Sequence, residues 1–275
     1  MEHNITIRTE QEELSAVLHY PNDSAAESGV RQRWPLVIIC HGFVGNRIGV
    51  DRLFVLAARH FSSRGFMTLR FDYGGCGEST GVYGSGGLPS LISQTRKVID
   101  YAFGLDCVDP GNITLLGHSL GGAVAVLTAA QDPRVKSLVL WAPVAQPLGD
   151  IVRIVGHKAH EEALRYGASD YLGYALPAEF FESLAKHHPL LEAKKFAGDV
   201  LIVCGSADTV VSPEYGSLYQ RIFWMRPGGH CSRETIPGGD HTFSGAESHE
   251  RLYAVTGEWL AAVKKRKDEW CDWSI

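Results

Sequence analysis

Apolar and polar positions change period in a regular order along this chain. Residues 4–9 and 14–20 alternate apolar with polar side chains, the period of two expected of half-buried strands. They predict an antiparallel hairpin at the N-terminus. Residues 36–40 (Leu-Val-Ile-Ile-Cys) are apolar without a break, which predicts a strand covered on both faces. Residues 52–64 switch to helical spacing and stop at Gly65, and residues 67–71 return to a strand pattern. A helix over 88–103 and strands over 113–116, 135–141 and 200–204 follow, then a last strand over 233–236 and an amphipathic helix over 249–265. Strands separated by helices predict an α/β fold. Its sheet should be mostly parallel and doubly wound, with helices on both faces.

Three stretches break this rhythm. Residues 21–33 are polar and loop-like, and residues 74–87 form a glycine-rich loop without the Gly-Lys-Ser/Thr ending of a phosphate-binding loop. Residues 145–195 are long, rich in Gly, Tyr and His, and contain no obvious buried strand. They read as a cap inserted over the C-terminal edge of the sheet, where open α/β sheets bind ligands. Residues 1–275 then form a single domain, large but within the range of α/β folds.

Chemistry enters at one strand end. The run Ile113-Thr114-Leu115-Leu116 leads into Gly117-His118-Ser119-Leu120-Gly121, and residues 123–130 have helical composition. A serine in Gly-x-Ser-x-Gly between strand and helix is the layout of a nucleophile elbow. A serine hydroxyl needs a base to take its proton and a carboxylate to orient that base. Asp208 follows the strand 200–204, and His241 follows the strand 233–236, so three chemical groups fall at three strand ends. Asp240 is a competing acid, but its adjacency to His241 makes a bond to the same imidazole awkward, and it reads better as a turn residue. His118 reads as packing beside the serine rather than as a base.

An oxyanion developing beside Ser119 needs two backbone N–H donors. The amide of Leu120 directly follows the serine. The second is expected from Cys40-His41-Gly42-Phe43-Val44-Gly45, after the first parallel strand. Gly42 permits close approach there, and Phe43 N–H is the candidate donor.

Composition adds limits. Hydrophobic residues make up 45 % and charged residues 21 %, the balance of a globule able to bury a sizeable core. A net charge of −5 gives no reason to expect nucleic acid or an anionic membrane surface as partner. No apolar run approaches the roughly 20 residues of a membrane span, and Met1-Glu2-His3-Asn4 does not open a signal peptide. The six cysteines are scattered without a Cys-x-x-Cys, which favours a reducing, cytoplasmic setting. Cys76, in the glycine-rich loop, is the one considered for reactivity, though an incidental loop thiol is the simpler reading. His157-Lys158-Ala159-His160-Glu161 lacks the His-Glu-x-x-His order of a metal-binding helix and reads as a solvated face, so neither metal nor cofactor is expected.

Five segments together resemble a known family. They are His41-Gly42-Phe43, Arg70-Phe71-Asp72-Tyr73-Gly74-Gly75-Cys76-Gly77-Glu78-Ser79, Gly117-His118-Ser119-Leu120-Gly121-Gly122, Gly205-Ser206-Ala207-Asp208-Thr209-Val210-Val211-Ser212-Pro213 and Asp240-His241-Thr242-Phe243. The chain resembles serine-dependent α/β-hydrolases of the carboxylesterase, monoacylglycerol lipase and serine aminopeptidase group, and within it the bacterial cinnamoyl (feruloyl) esterases. The resemblance runs from about residue 36 to 260, apart from the cap. It implies the α/β-hydrolase fold, Ser119 as nucleophile, His241 as base, Asp208 as orienting acid, and Phe43 and Leu120 as oxyanion donors.

It further implies hydrolysis of small aryl or short-chain acyl esters, including hydroxycinnamoyl esters, through an acyl-enzyme. A small-molecule ester is then the expected partner, and a homodimer is left open. The cap departs from the family pattern. Its aromatics, with His118, are the candidate substrate contacts: Tyr166, Tyr171, Tyr174 and Phe180, beside Phe181. They could equally form the cap's own small core. The same three groups would serve a thioesterase, a monoacylglycerol lipase or an amide-cleaving hydrolase. A non-catalytic binding protein on the same scaffold is a separate alternative.

Overall fold

A computed structural model describes residues 1–21 and 32–271. Residues 22–31 of the polar stretch expected over 21–33 lie outside the described residues, as does the side chain of Cys271. Eight strands form one sheet in the order β1-β2-β4-β3-β5-β6-β9-β10. β1 (Glu2–Arg8) and β2 (Glu13–His19) make the N-terminal antiparallel hairpin, and β2 joins β4 (Met67–Phe71) antiparallel. From β4 onward all pairs are parallel, through β3 (Trp34–Cys40), β5 (Val108–His118), β6 (Val135–Trp141), β9 (Asp199–Gly205) and β10 (Cys231–Ile236). The α/β-hydrolase fold expected from the sequence is the fold observed.

The apolar run of β3 divides between two cores. Leu36, Ile38 and Cys40 join one cluster, while Val37 and Ile39 face the other. This is why the strand shows no polar alternation. Above the first face lie α2 (Gly87–Phe103) and α3 (Leu120–Ala129), the latter buried at every position. Helices α1 (Leu53–Ser62) and α9 (Ala246–Cys271) cover the opposite face.

The structure departs from the sequence reading in several places. Helix α1 begins one residue late because Asp51 and Arg52, in the 3-10 turn Val50–Arg52, are left-handed (φ 50° and 63°). β5 starts at Val108, five residues earlier than expected, and its pairing with β3 shifts register across Asp109-Pro110-Gly111-Asn112. Helix α8 (Glu214–Trp224) was not expected at all. Between β6 and β9 lie α4 (Pro147–Val155), α5 (His157–Tyr166), α6 (Ala178–Lys186) and α7 (Pro189–Ala193). That segment, expected to hold no obvious buried strand, contains an antiparallel hairpin of β7 (Ala168–Tyr171) and β8 (Tyr174–Pro177), with one buried residue in each strand. Among the described residues no helix is long and apolar enough to cross a membrane.

Candidate active site

Ser119 sits at the junction of β5 and α3 with φ 57° and ψ −123°, a conformation costly for a residue with a side chain. The junction is tight because glycines flank it. A Cβ on Gly121 would overlap the carbonyl oxygens of Cys40 and His41, and one on Gly117 would overlap Gly121. The serine backbone is fastened on both sides. Its N–H donates to Trp141 O at 3.0 Å, and its carbonyl accepts from Gly122 N at 2.9 Å and Val144 N at 3.0 Å.

The loops after β9 and β10 bring two more groups to this point. Ser119 Oγ lies 2.9 Å from His241 Nε2, and His241 Nδ1 lies 2.8 Å from Asp208 Oδ2. A carboxylate only accepts, so Nδ1 carries the proton and Nε2 is left to accept from the serine hydroxyl. Asp208 is itself held, its Oδ1 accepting from the Val210 and Val211 amides at 2.8 Å each. Asp240 faces elsewhere. Its Oδ1 accepts from Ser244 N at 2.8 Å and Thr242 N at 3.1 Å, closing the turn that carries His241.

The loop after β3 approaches from the other side. A Cβ on Gly42 would stand 3.1 Å from Ser119 Cβ, so glycine allows the backbone to pass this close. Leu120 opens α3, where backbone amides have no partner within the helix. His41 is buried beneath the loop. Its Nε2 accepts from Tyr73 N at 3.0 Å and its Nδ1–H donates to Gly42 O at 2.8 Å. Burial holds its pKa down to about 4.

Arg47, which the sequence did not single out, pins the same loop further along. Its amide donates to Asp72 Oδ1 at 2.6 Å, its guanidinium pairs with Asp72 and Glu78, and its carbonyl accepts from Arg70 Nη1 at 3.0 Å. The only cue in the sequence was a lone basic residue inside an otherwise uncharged run, residues 40–50.

A cavity of about 370 Å³ opens above Ser119. Ser119, His118 and His241 form its floor. Gly42 to Asn46 with Gly49, Val50, Leu53 and Phe54 form one wall, and Ile154, Tyr171, Val210 and Thr242 the other. Among the described residues no Lys, Arg, Asp or Glu lines it. Ile154 and Val210 were not anticipated, because nothing in an aliphatic side chain marks it as cavity-facing.

The aromatic candidates separate. Tyr171, on β7, lines the cavity with its ring 5.5 Å from that of Phe43. Phe180 is fully buried behind it, stacked on Phe43 at 5.8 Å and 14° and packed near Tyr83 of the glycine-rich loop. Tyr174 turns toward Tyr83 and Cys76 rather than the cavity. Tyr166, 70 % exposed at the end of α5, carries the Arg165 guanidinium over its ring and does not reach the cavity. Of these four aromatic candidates, Tyr171 is the one among the residues that line the cavity, while Phe180 belongs to the buried core beneath it. His118 does line the cavity, and burial together with the neighbouring His241 lowers its pKa to about 3. Cys76 is buried, and desolvation pushes its thiol up to about 12, as suits the incidental loop thiol that the sequence favoured.

Comparison with known proteins bears on the fold and family. The model of the alpha/beta hydrolase fold family matches residues 35–166. An uncharacterized 31.7 kDa protein from the traX–finO intergenic region of Escherichia coli is 30 % identical over 228 residues, covering 68 % of this chain and 78 % of that one. The quorum-quenching protein AidA of Acinetobacter baumannii is 32 % identical over 130 residues, 47 % of this chain and 40 % of its own length. Among solved structures, ferulic acid-bound Est1E from Butyrivibrio proteoclasticus superposes with a TM-score of 0.80 at 26 % identity, covering 95 % of this chain and 99 % of Est1E. The protein belongs to the α/β-hydrolase family, and its fold is that of a hydrolase.

Proposed function

We propose that this hydrolase is a serine esterase that cleaves small aryl or short-chain acyl esters through an acyl-enzyme. The observation that carries the reading is the continuous chain Asp208–His241–Ser119, with links of 2.8 and 2.9 Å, opening directly into the cavity. In this reading His241 Nε2 takes the Ser119 proton as Oγ attacks the ester carbonyl carbon. The carbonyl oxygen becomes an oxyanion held by the Phe43 and Leu120 amides. Collapse breaks the carbon–oxygen bond to the alcohol, which leaves with the proton from His241. Water, deprotonated by His241, then releases the acid and restores Ser119.

The lining bears on the substrate. A cavity of about 370 Å³ with largely apolar walls and, among the described residues, no Lys, Arg, Asp or Glu suits an uncharged acyl or aryl group. The Phe43 and Tyr171 rings offer faces for an aromatic acid, in keeping with the ferulic acid bound to Est1E. Residues 145–195 act as the cap of a single domain, supplying Ile154 and Tyr171 to the wall. The lack of Lys or Arg disfavours a phosphate-bearing thioester seated wholly within the cavity.

Hydrolysis of p-nitrophenyl acetate and methyl ferulate by the purified protein, compared with Ser119→Ala, tests the reading. Release of product by the parent and its loss in the folded variant are expected. Equal turnover by both would remove Ser119 from the mechanism.

A further inference from the structure

His118 precedes the serine, and its ring reaches across the floor of the cavity to the loop after β10. Its Nε2 lies 2.8 Å from the main-chain oxygen of His241, 123 residues away. A carbonyl oxygen can only accept, so Nε2 carries the hydrogen and donates it. The two imidazoles lie face to edge-tilted, with centroids 4.9 Å apart at 40°. Phe54 packs against the other side of the His118 ring at 5.9 Å.

We infer that His118 is a positioning residue, whose Nε2–H ties the backbone of His241 to the strand that carries Ser119. This rests on the esterase reading of the site. The other attachments of the His241 loop lead elsewhere. Ala207 N donates to Gly239 O at 2.9 Å and Gly238 N to Ser206 Oγ at 2.8 Å, both toward the end of β9. Asp240 bonds within the turn itself. Phe243 is buried against Trp141. The Ala207 and Gly238 bonds secure the loop beside Asp208, and Phe243 rests on β6, between β5 and β9. The His118 bond secures it on the serine side, and His118 is covalently next to Ser119. A shift of the elbow is thus passed to both reacting side chains together, which keeps the 2.9 Å gap between Oγ and Nε2 constant.

Such a tie affects the rate through geometry. Misplacing a reacting group by about 1 Å can cost on the order of 10²-fold in rate. Substrate affinity should be little affected, since the walls that hold the acyl group lie on other segments. The Nε2–H is present on both the neutral and the protonated ring, so the tie does not depend on the charge of His118.

The test compares the parent with His118→Phe, which keeps a flat ring and removes the donor, and His118→Gln, whose amide N–H can donate from a similar position. kcat and KM for p-nitrophenyl acetate and the melting temperature are read for each. His118→Phe is expected to lose ten- to a hundred-fold in kcat with KM within about threefold, and His118→Gln to recover most of that loss. Should His118→Phe not fold, His118→Leu gives the same comparison without a donor. Unchanged kcat in the donor-less variant, or equal losses in both folded variants, would overturn the inference. A parent without Ser119-dependent hydrolysis would instead overturn the functional reading, and the inference with it.

Discussion

The buried imidazole of His41 accepts a hydrogen bond from the Tyr73 amide at 3.0 Å while donating to Gly42 O. Only the neutral ring can do both. Its pKa is held near 4, below the ordinary 6.5, by burial. The unfolded chain therefore takes up this proton first as pH falls. His41 contributes its full stability above about pH 7 and loses it progressively down to about pH 4, below which both states are protonated. The gap corresponds to on the order of 3 kcal/mol. His19, which accepts from Arg70 Nε at 2.7 Å and is also held near 4, acts with the same sign. The urea midpoint should fall steadily between pH 7 and 4, and His41→Gln should be less stable at pH 7.5 but show a flatter fall. A midpoint independent of pH across that range would contradict this.

Gly42 and Gly121 should fail differently when substituted. Gly121→Ala drives a Cβ into the Cys40 and His41 carbonyls, so loss of folded protein is expected. Gly42→Ala places its Cβ 3.1 Å from Ser119 Cβ, a crowding that a small shift of the loop relieves. In the proposed mechanism that shift moves the Phe43 amide away from the oxyanion. We expect a kcat lower by about 10²-fold with a melting temperature close to the parent's. Kinetics and thermal melts on the two variants separate the outcomes.

Two neighbouring carboxylates should give opposite results. Asp208→Asn can no longer hold the Nδ1–H tautomer of His241, and kcat is expected to fall by about 10³- to 10⁴-fold. Asp240→Asn keeps an oxygen for the Thr242 and Ser244 amides and should remain within tenfold of the parent. A crippled Asp240→Asn beside a healthy Asp208→Asn would assign the acid the other way.

The parallel strands were legible because burial on both faces leaves unbroken apolar runs such as residues 36–40. Ser119, Asp208 and His241 could be grouped because each follows a strand and the sheet brings strand ends to one rim, although the strand before His241, Cys231–Ile236, is largely polar. Helix α8 was not, since it buries only Gly216, Tyr219 and Phe223, too few to show a helical stripe. Arg47 was missed because its partner, Asp72, lies 25 residues away and only the fold joins them. The cap aromatics could not be ranked from sequence. A left-handed Leu172 at the tip of the β7–β8 hairpin turns Tyr171 to the cavity, and nothing in the order of residues distinguishes it from Tyr166.

Tyr171 is expected to govern preference for aromatic acids. Tyr171→Ala removes a ring at the cavity wall, where an aromatic contact contributes about 0.5–1.5 kcal/mol. kcat/KM for methyl ferulate should drop about 3- to 10-fold while that for p-nitrophenyl acetate changes less than twofold. An equal drop for both esters would place the ring's effect on the machinery rather than on the acyl group.

The central claim is that Ser119 is an activated nucleophile, and a covalent probe reads this without any assumption about substrate. The protein is treated with a fluorophosphonate and its mass and peptides are measured. A single adduct on Ser119, absent after Ser119→Ala and slowed strongly by His241→Gln, is the expected result. An unlabelled Ser119 in folded protein, or labelling indifferent to His241, would contradict the account.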